Sequence, residues 1–161
     1  MIYVTVGKMP LPFDRLLTAA DELAAGLGEE VFMQSGSATY RPVNAGFKDF
    51  LTFPEAEDYQ SRAELIISHA GIGTIIGALR SGTPIIVVPR REALKEHFND
   101  HQMEIAKAVE GRTGVEVVYD LSGLKAAAGR LLGLKGKIKP AQPGAGIFAA
   151  IEDFLLAAKS K

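Results

Sequence analysis

The stretch ELIISHAGIGTIIGALRSGTPIIVVPRREALKEHFNDHQ, from Glu64 to Gln102, decides the fold. Leu65 to Ser68 is a short apolar run that ends in a glycine-containing turn, and Thr74 to Ser81 then carries a helical pattern. Ile85 to Val88 is a second apolar run, stopped by Pro89, and His97 to Glu110 reads as the next helix. Two buried strands joined through a helix form a parallel pair. A helix that starts at the carboxyl end of such a strand has unpaired amides and the positive end of its dipole there, so the turn at Gly71 to Gly73 is an anion site. Phosphate is the expected guest.

The same alternation extends in both directions. Ile2 to Val6 is strand one, and Leu16, Leu17, Ala20, Leu23, Ala24 and Leu27 recur on one helical face. Glu30 to Gln34 is a second strand, closed by Ser35-Gly36-Ser37. Phe47 to Phe53 reads as a third strand stopped by Pro54, followed by an exposed helix over Glu55 to Arg62. Val115 to Val118 is strand six, and Leu121 to Leu132 is helical. This order predicts an α/β fold, a Rossmann-like parallel sheet with helices on both faces. Ligands of such sheets bind beyond the carboxyl ends of the strands, here Gly7-Lys8, Ser35-Gly36, Phe53-Pro54, Ser68 to Gly73 and Pro89 to Arg91.

A chain of 161 residues with 47% hydrophobic side chains is expected to form one domain, too small for a two-domain enzyme. A net charge of -1, from 18 basic and 19 acidic residues, argues against a nucleic-acid partner. The absence of cysteine removes disulfides, thiolate metal sites and cysteine nucleophiles. No segment approaches the ~20 apolar residues of a membrane span, and MIYVTVGK is not a signal peptide. Residues 1–134 are read as the domain. Lys135 to Gly146, with three lysines, two prolines and three glycines, is a linker or strap. Residues 147–161 form a helix whose apolar stripe, Ile147, Phe148, Ile151, Phe154 and Leu155, packs back on the sheet or docks a partner.

Taken together, HAGIGT before a helix, SGTP before an apolar strand ending in proline, and a late HQ resemble glycosyltransferase family 28, C-terminal domain, the donor-binding half of GT-B glycosyltransferases. The likeness runs from Met1 to Val118 and is densest over Ala63 to Gln102. Within the family it is closest to small catalytic subunits of two-part enzymes that add GlcNAc to dolichol-linked GlcNAc, and to bacterial counterparts in exopolysaccharide synthesis. The resemblance implies a UDP-sugar donor such as UDP-GlcNAc, a lipid-linked saccharide acceptor, and no metal ion or other cofactor. It also implies a membrane-anchored partner subunit that supplies the acceptor site, and so a cytoplasmic protein held at the membrane through that partner.

Residue by residue, the resemblance implies that Ser68, His69, Gly71, Gly73 and Thr74 lie at the donor diphosphate, with His69 stabilising the leaving group. Phe53 would lie where uracil is cradled, and His101 and Gln102 at the transferred sugar. Gly7 and Lys8 would form the loop under the phosphates or toward the acceptor. One departure is Gly77, at a position where many relatives carry an acid that binds ribose.

The residues also support other readings. His69 is equally a turn residue that satisfies a buried carbonyl, and Thr74 a helix cap. Arg90 and Arg91 follow a strand's carboxyl end, where they would grip a phosphate or the carboxylate of a uronic acid. His97 and His101, four apart on a predicted helix, have metal-ligand spacing but lack a third ligand. Gly71, Gly73 and Gly77 with Arg90 further on also read as an NADP-binding oxidoreductase. A non-catalytic nucleotide-sugar-binding subunit is the third alternative.

Overall fold

A computed structural model of the chain describes residues 1–141 together with Gly146; the helix expected over 147–161 lies outside these residues. Six strands form one parallel sheet: β1 (Ile2–Thr5), β2 (Val31–Gln34), β3 (Gly46–Lys48), β4 (Leu65–His69), β5 (Ile85–Val88) and β6 (Val115–Val117), in the order β3-β2-β1-β4-β5-β6. Among residues 1–141, five helices cover it: α1 (Asp14–Gly26), α2 (Phe53–Arg62), α3 (Ile72–Ser81), α4 (His101–Val109) and α5 (Leu124–Leu131). The predicted Rossmann-like sheet is borne out.

Strands β1, β4 and β5 are apolar up to their carboxyl ends, where Thr5, Ser68 and His69 stand, because both of their faces are covered. Ile2, Val4, Leu65, Ile67, Ile86 and Val88 point to α1 and α5. Tyr3, Ile66, Ile85 and Val87 point to the opposite layer, where Ile75 and Ala78 of α3 and Ile105, Ala106 and Val109 of α4 meet them. Helix α2 contributes no fully buried residue. Its Tyr59 instead stacks on Phe32, with ring centroids 4.1 Å apart, and on Tyr3 at 5.6 Å. The strand order reverses between β1 and β4, and the helices that follow them lie on opposite faces, which opens a crevice beyond their carboxyl ends.

Several expected boundaries move for local reasons. The third strand is only Gly46–Lys48, an exposed edge. Pro54 does not stop a strand but sits in the first turn of α2, where a proline's missing N–H costs nothing. Thr52 and Glu55 close a capping box ahead of it, so Phe53 is helical. Helix α3 starts at Ile72, two residues early, with Gly71 and not Thr74 at the cap position. Helix α4 starts at His101, so His97 and His101 do not stand on one helical face. A 3-10 turn over Glu92–Leu94 and Lys95 in the left-handed region precede it.

Residues 135–141 run as a strap across the amino-terminal side of the sheet. Lys135 Nζ donates to the carbonyls of Ser61 and Ala63 at 2.7 Å, capping the end of α2, and the Ala141 amide donates to Leu79 O at 2.9 Å.

Two carboxylates on α1 hold the loop that leads to β3. Asp14 accepts from the amides of Thr39 and Tyr40, at 2.8 and 3.1 Å. Buried Asp21 accepts from the amides of Val43 and Asn44, at 3.0 and 2.8 Å, and from the Tyr40 hydroxyl at 2.9 Å. Burial alone would raise the Asp21 carboxyl, but these donors together hold it below its usual range. Its contribution is therefore complete above the ordinary aspartate pKa and disappears as the pH falls through the lowered value. Asp21→Asn is predicted to lower stability by about 2 kcal/mol at pH 7 and to flatten the loss of stability below pH ~4, as followed by urea unfolding across pH.

Candidate functional site

A crevice of about 750 Å³ lies between α2 and α3 over the ends of β1 and β2. Gly7, Lys8, Phe53, Gly73 and Thr74, all expected at the site, line it. Tyr3, Thr5 and Gln34 form a polar floor that sequence reasoning did not single out. The Tyr3 and Thr5 hydroxyls both donate to Gln34 Oε1, at 3.2 and 2.9 Å. The Gly7 amide donates to Thr5 Oγ1 at 3.2 Å, which ties the β1 loop to the floor. Burial pushes the Tyr3 phenol up to about 12, so it remains a donor at every physiological pH. The available signal was two polar side chains, Tyr3 and Thr5, at period two within an otherwise apolar strand.

The first turn of α3 faces the crevice without a side-chain cap. The amides of Ile72, Gly73 and Thr74 have no carbonyl within the helix to bond, and the adjacent Thr74 hydroxyl and exposed Lys8 complete a ligand set for an anion.

His69 stands at the edge of this set, partly accessible, with its ring wedged between two glycines. A Cβ at Gly7 would lie 2.6 Å from both Cε1 and Nε2 of the imidazole, and one at Gly71 would be closer still. Gly71 has an ordinary φ of -87°, so space and not backbone freedom requires glycine there. Nδ1 donates to Thr5 O at 3.4 Å, which leaves Nε2 in the gap between the glycines. Burial, reinforced by the Arg90 charge, lowers the imidazole to about 4, so it is neutral at pH 7. Ser68 is fully buried and donates to the carbonyl of His69 at 2.7 Å; it positions the histidine and does not line the crevice.

The arginines correct the expectation drawn from their position. Arg90 is 0% exposed, its ring-side face on Phe13 with the guanidinium carbon 4.6 Å from the centroid. Nη1 donates to the carbonyls of Leu11, Pro12 and Glu96, at 3.0, 3.2 and 2.9 Å, and Nη2 to Val6 O at 2.8 Å. Burial brings it down to about 10, so it remains charged at pH 7. It therefore offers no grip on a ligand phosphate or carboxylate, and the NADP reading loses its basic residue. Arg91 turns to a separate cavity with Arg15, Leu94, Tyr119, Asp120 and Leu121, and donates to Tyr119 O. The uronic-acid reading loses both residues.

Gln102 is 7% exposed and bridges two loops: Oε1 accepts from the amides of Ala70 and Arg90, at 3.2 and 3.1 Å. Only its Nε2 is left for a ligand. His101 is exposed at the start of α4, outside the crevice lining. Phe53 is 71% exposed at the crevice mouth.

Two measurements check this arrangement. A bound diphosphate raises the pKa of a neighbouring imidazole, so binding of a nucleotide sugar, whose own phosphates do not titrate near neutrality, should take up protons below pH ~6 and tighten as the pH falls toward 4. Calorimetry in buffers of different ionisation enthalpy detects the uptake, and His69→Ala should abolish it. Arg90→Lys should lower stability by about 2 kcal/mol or more in urea unfolding, since three ammonium donors cannot reach carbonyls arranged for a planar guanidinium.

Comparison with known proteins points the same way as this geometry. The human UDP-N-acetylglucosamine transferase subunit ALG13 (Homo sapiens) is 33% identical over 118 residues, which are 66% of this chain and 10% of that protein. Among solved structures, the glycosyltransferase of kitacinnamycin superposes with a TM-score of 0.62 at 20% identity, over 97% of this chain and 39% of that one. The solution structure of ALG13 gives a TM-score of 0.54 at 18% identity, over 95% of this chain and 94% of that one. The chain thus spans a small part of the curated relative it matches, and less than half of the kitacinnamycin enzyme. The family model that matches covers residues 1–136, most of the chain and every residue of the crevice, and the chain belongs to the glycosyltransferase family 28 C-terminal domain family.

Proposed function

We propose that this chain is the donor-binding subunit of a two-part glycosyltransferase, which transfers a sugar from a UDP-sugar, UDP-N-acetylglucosamine in the first instance, to a lipid-linked saccharide. The observation that carries the reading is the uncapped first turn of α3, opening with Thr74 and Lys8 into a crevice large enough for a nucleotide. As the bond between the sugar and the diphosphate breaks, negative charge grows on the departing phosphate. The amides of Ile72, Gly73 and Thr74 and the Lys8 ammonium are aimed where that charge develops, and do not have to reorganise to meet it. This is the role a divalent ion fills in many transferases, so the reaction is proposed to run without one. Leu51, Thr52 and Phe53 at the mouth would hold the base.

A partner is proposed because transfer also needs an acceptor site and a general base facing the crevice. Support comes from the human relative, which is named a transferase subunit. No helix among the described residues is long and apolar enough to cross a membrane. We place the anchor in the partner, with this chain at the cytoplasmic face and the product entering polysaccharide or lipid-linked oligosaccharide synthesis.

Thermal shift with UDP, UDP-GlcNAc, UDP-glucuronic acid, UDP-galactose and NADP tests the donor. A nucleotide sugar is expected to raise the melting temperature and NADP to leave it unchanged; the reverse order overturns the reading. The chain alone is expected to bind donor and turn over little in EDTA-treated buffer. Robust transfer by the isolated chain would remove the need for a partner.

A further inference from the structure

We infer that Gln60 is the residue that recognises the ribose hydroxyls of the nucleotide donor, and that Gly77 exists to make room for it. The inference rests on the donor reading above and names a specificity determinant within it.

Gln60 lies in the last turns of α2, half-buried, and lines the crevice opposite α3. A Cβ built on Gly77 would lie 2.5 Å from Gln60 Oε1, so the carboxamide occupies the space that any side chain at residue 77 would claim. The glycine has no conformational duty: it sits inside α3, where it costs up to about 1 kcal/mol relative to alanine. Space for Gln60 is what the structure gains in return. The Gln60 side chain makes no hydrogen bond with any described residue, although half-buried amides ordinarily find partners. It is a donor and acceptor in the wall of a crevice with no hydrogen-bond partner among the described residues.

Its position selects the part of the ligand it meets. Along α3, Gly77 stands three residues beyond Thr74, a rise of about 4.5 Å from the anion-binding turn. In a nucleoside diphosphate, that is the neighbourhood reached through C5′ and C4′ from the phosphate, which is the ribose edge, with the base turned back toward Leu51 to Phe53. A ribose presents two adjacent hydroxyls. A carboxamide, with an accepting oxygen and a donating nitrogen side by side, can accept from one and donate to the other.

The test uses the full chain and compares UDP with 2′,3′-dideoxy-UDP by calorimetry. The unmodified protein is expected to prefer UDP by about tenfold, the worth of one or two hydrogen bonds. Gln60→Ala should weaken UDP by about that factor, leave the dideoxy compound unaffected and leave the melting temperature unchanged, since no intramolecular hydrogen bond is lost. Gly77→Ala is the second variant: the new methyl meets only the flexible end of Gln60, so α3 tolerates it. It should erase the preference while Gln60 is still present. A preference for UDP that survives both substitutions, or a loss of affinity equal for both ligands, overturns the role of Gln60 and leaves the donor site standing. Failure of the unmodified chain to bind either compound overturns the donor reading itself.

Discussion

The buried guanidinium of Arg90 is the interaction on which the carboxyl-terminal edge of the sheet depends. Its donors reach carbonyls from three separate stretches, at Val6, at Leu11 and Pro12, and at Glu96. These stretches have no regular secondary structure of their own and would otherwise bring unpaired carbonyls inside the protein. A single planar cation solves this because it presents several donors in fixed directions. The cation forms no ion pair with any carboxylate among the described residues; the Glu96 carboxylate, whose charge favours the protonated guanidinium, is engaged bidentately by Arg15. It is therefore a net positive charge set below the loops from which the crevice begins, and it contributes to keeping His69 unprotonated.

Above that charge, the site departs from the rules that govern the rest of the fold. Thr5 and Gln34 place polar side chains in the buried part of the sheet to form the floor, and α3 opens into the crevice without the capping box that closes α2. A cap on α3 would satisfy the very amides that a ligand requires. Departures of this kind are costly to stability and concentrate where a molecule must bind.

The parallel sheet was legible because its central strands are buried on both faces and read as unbroken apolar runs, and the turn after β4 because glycines stand out beside them. The short edge strand was not, since three exposed residues leave no periodicity, and Pro54 suits a helix's first turn as well as a strand's end. Arg90 was misplaced because position after a strand announces a charge near the site but not the direction of its donors. Gly71 reads in the sequence as part of a turn, whereas the imidazole of His69 requires its lack of a side chain. The apposition of Gln60 and Gly77 joins residues on different helices, and nothing local in the sequence reports it.

The bridge made by Gln102 has a further consequence. With both lone pairs of its oxygen directed at main-chain amides, the carboxamide cannot rotate to exchange its ends, and it meets the solvent side of its loop as a donor only. A sugar hydroxyl placed against it has to accept, and must then pass its own proton onward to another group. If the proposed donor sugar lies against Gln102, the backbone at Ala70 and Arg90 would set the direction in which hydrogen bonds run around it. Two sugars that differ only in the handedness of one hydroxyl would be told apart by whether that one-way chain can be completed.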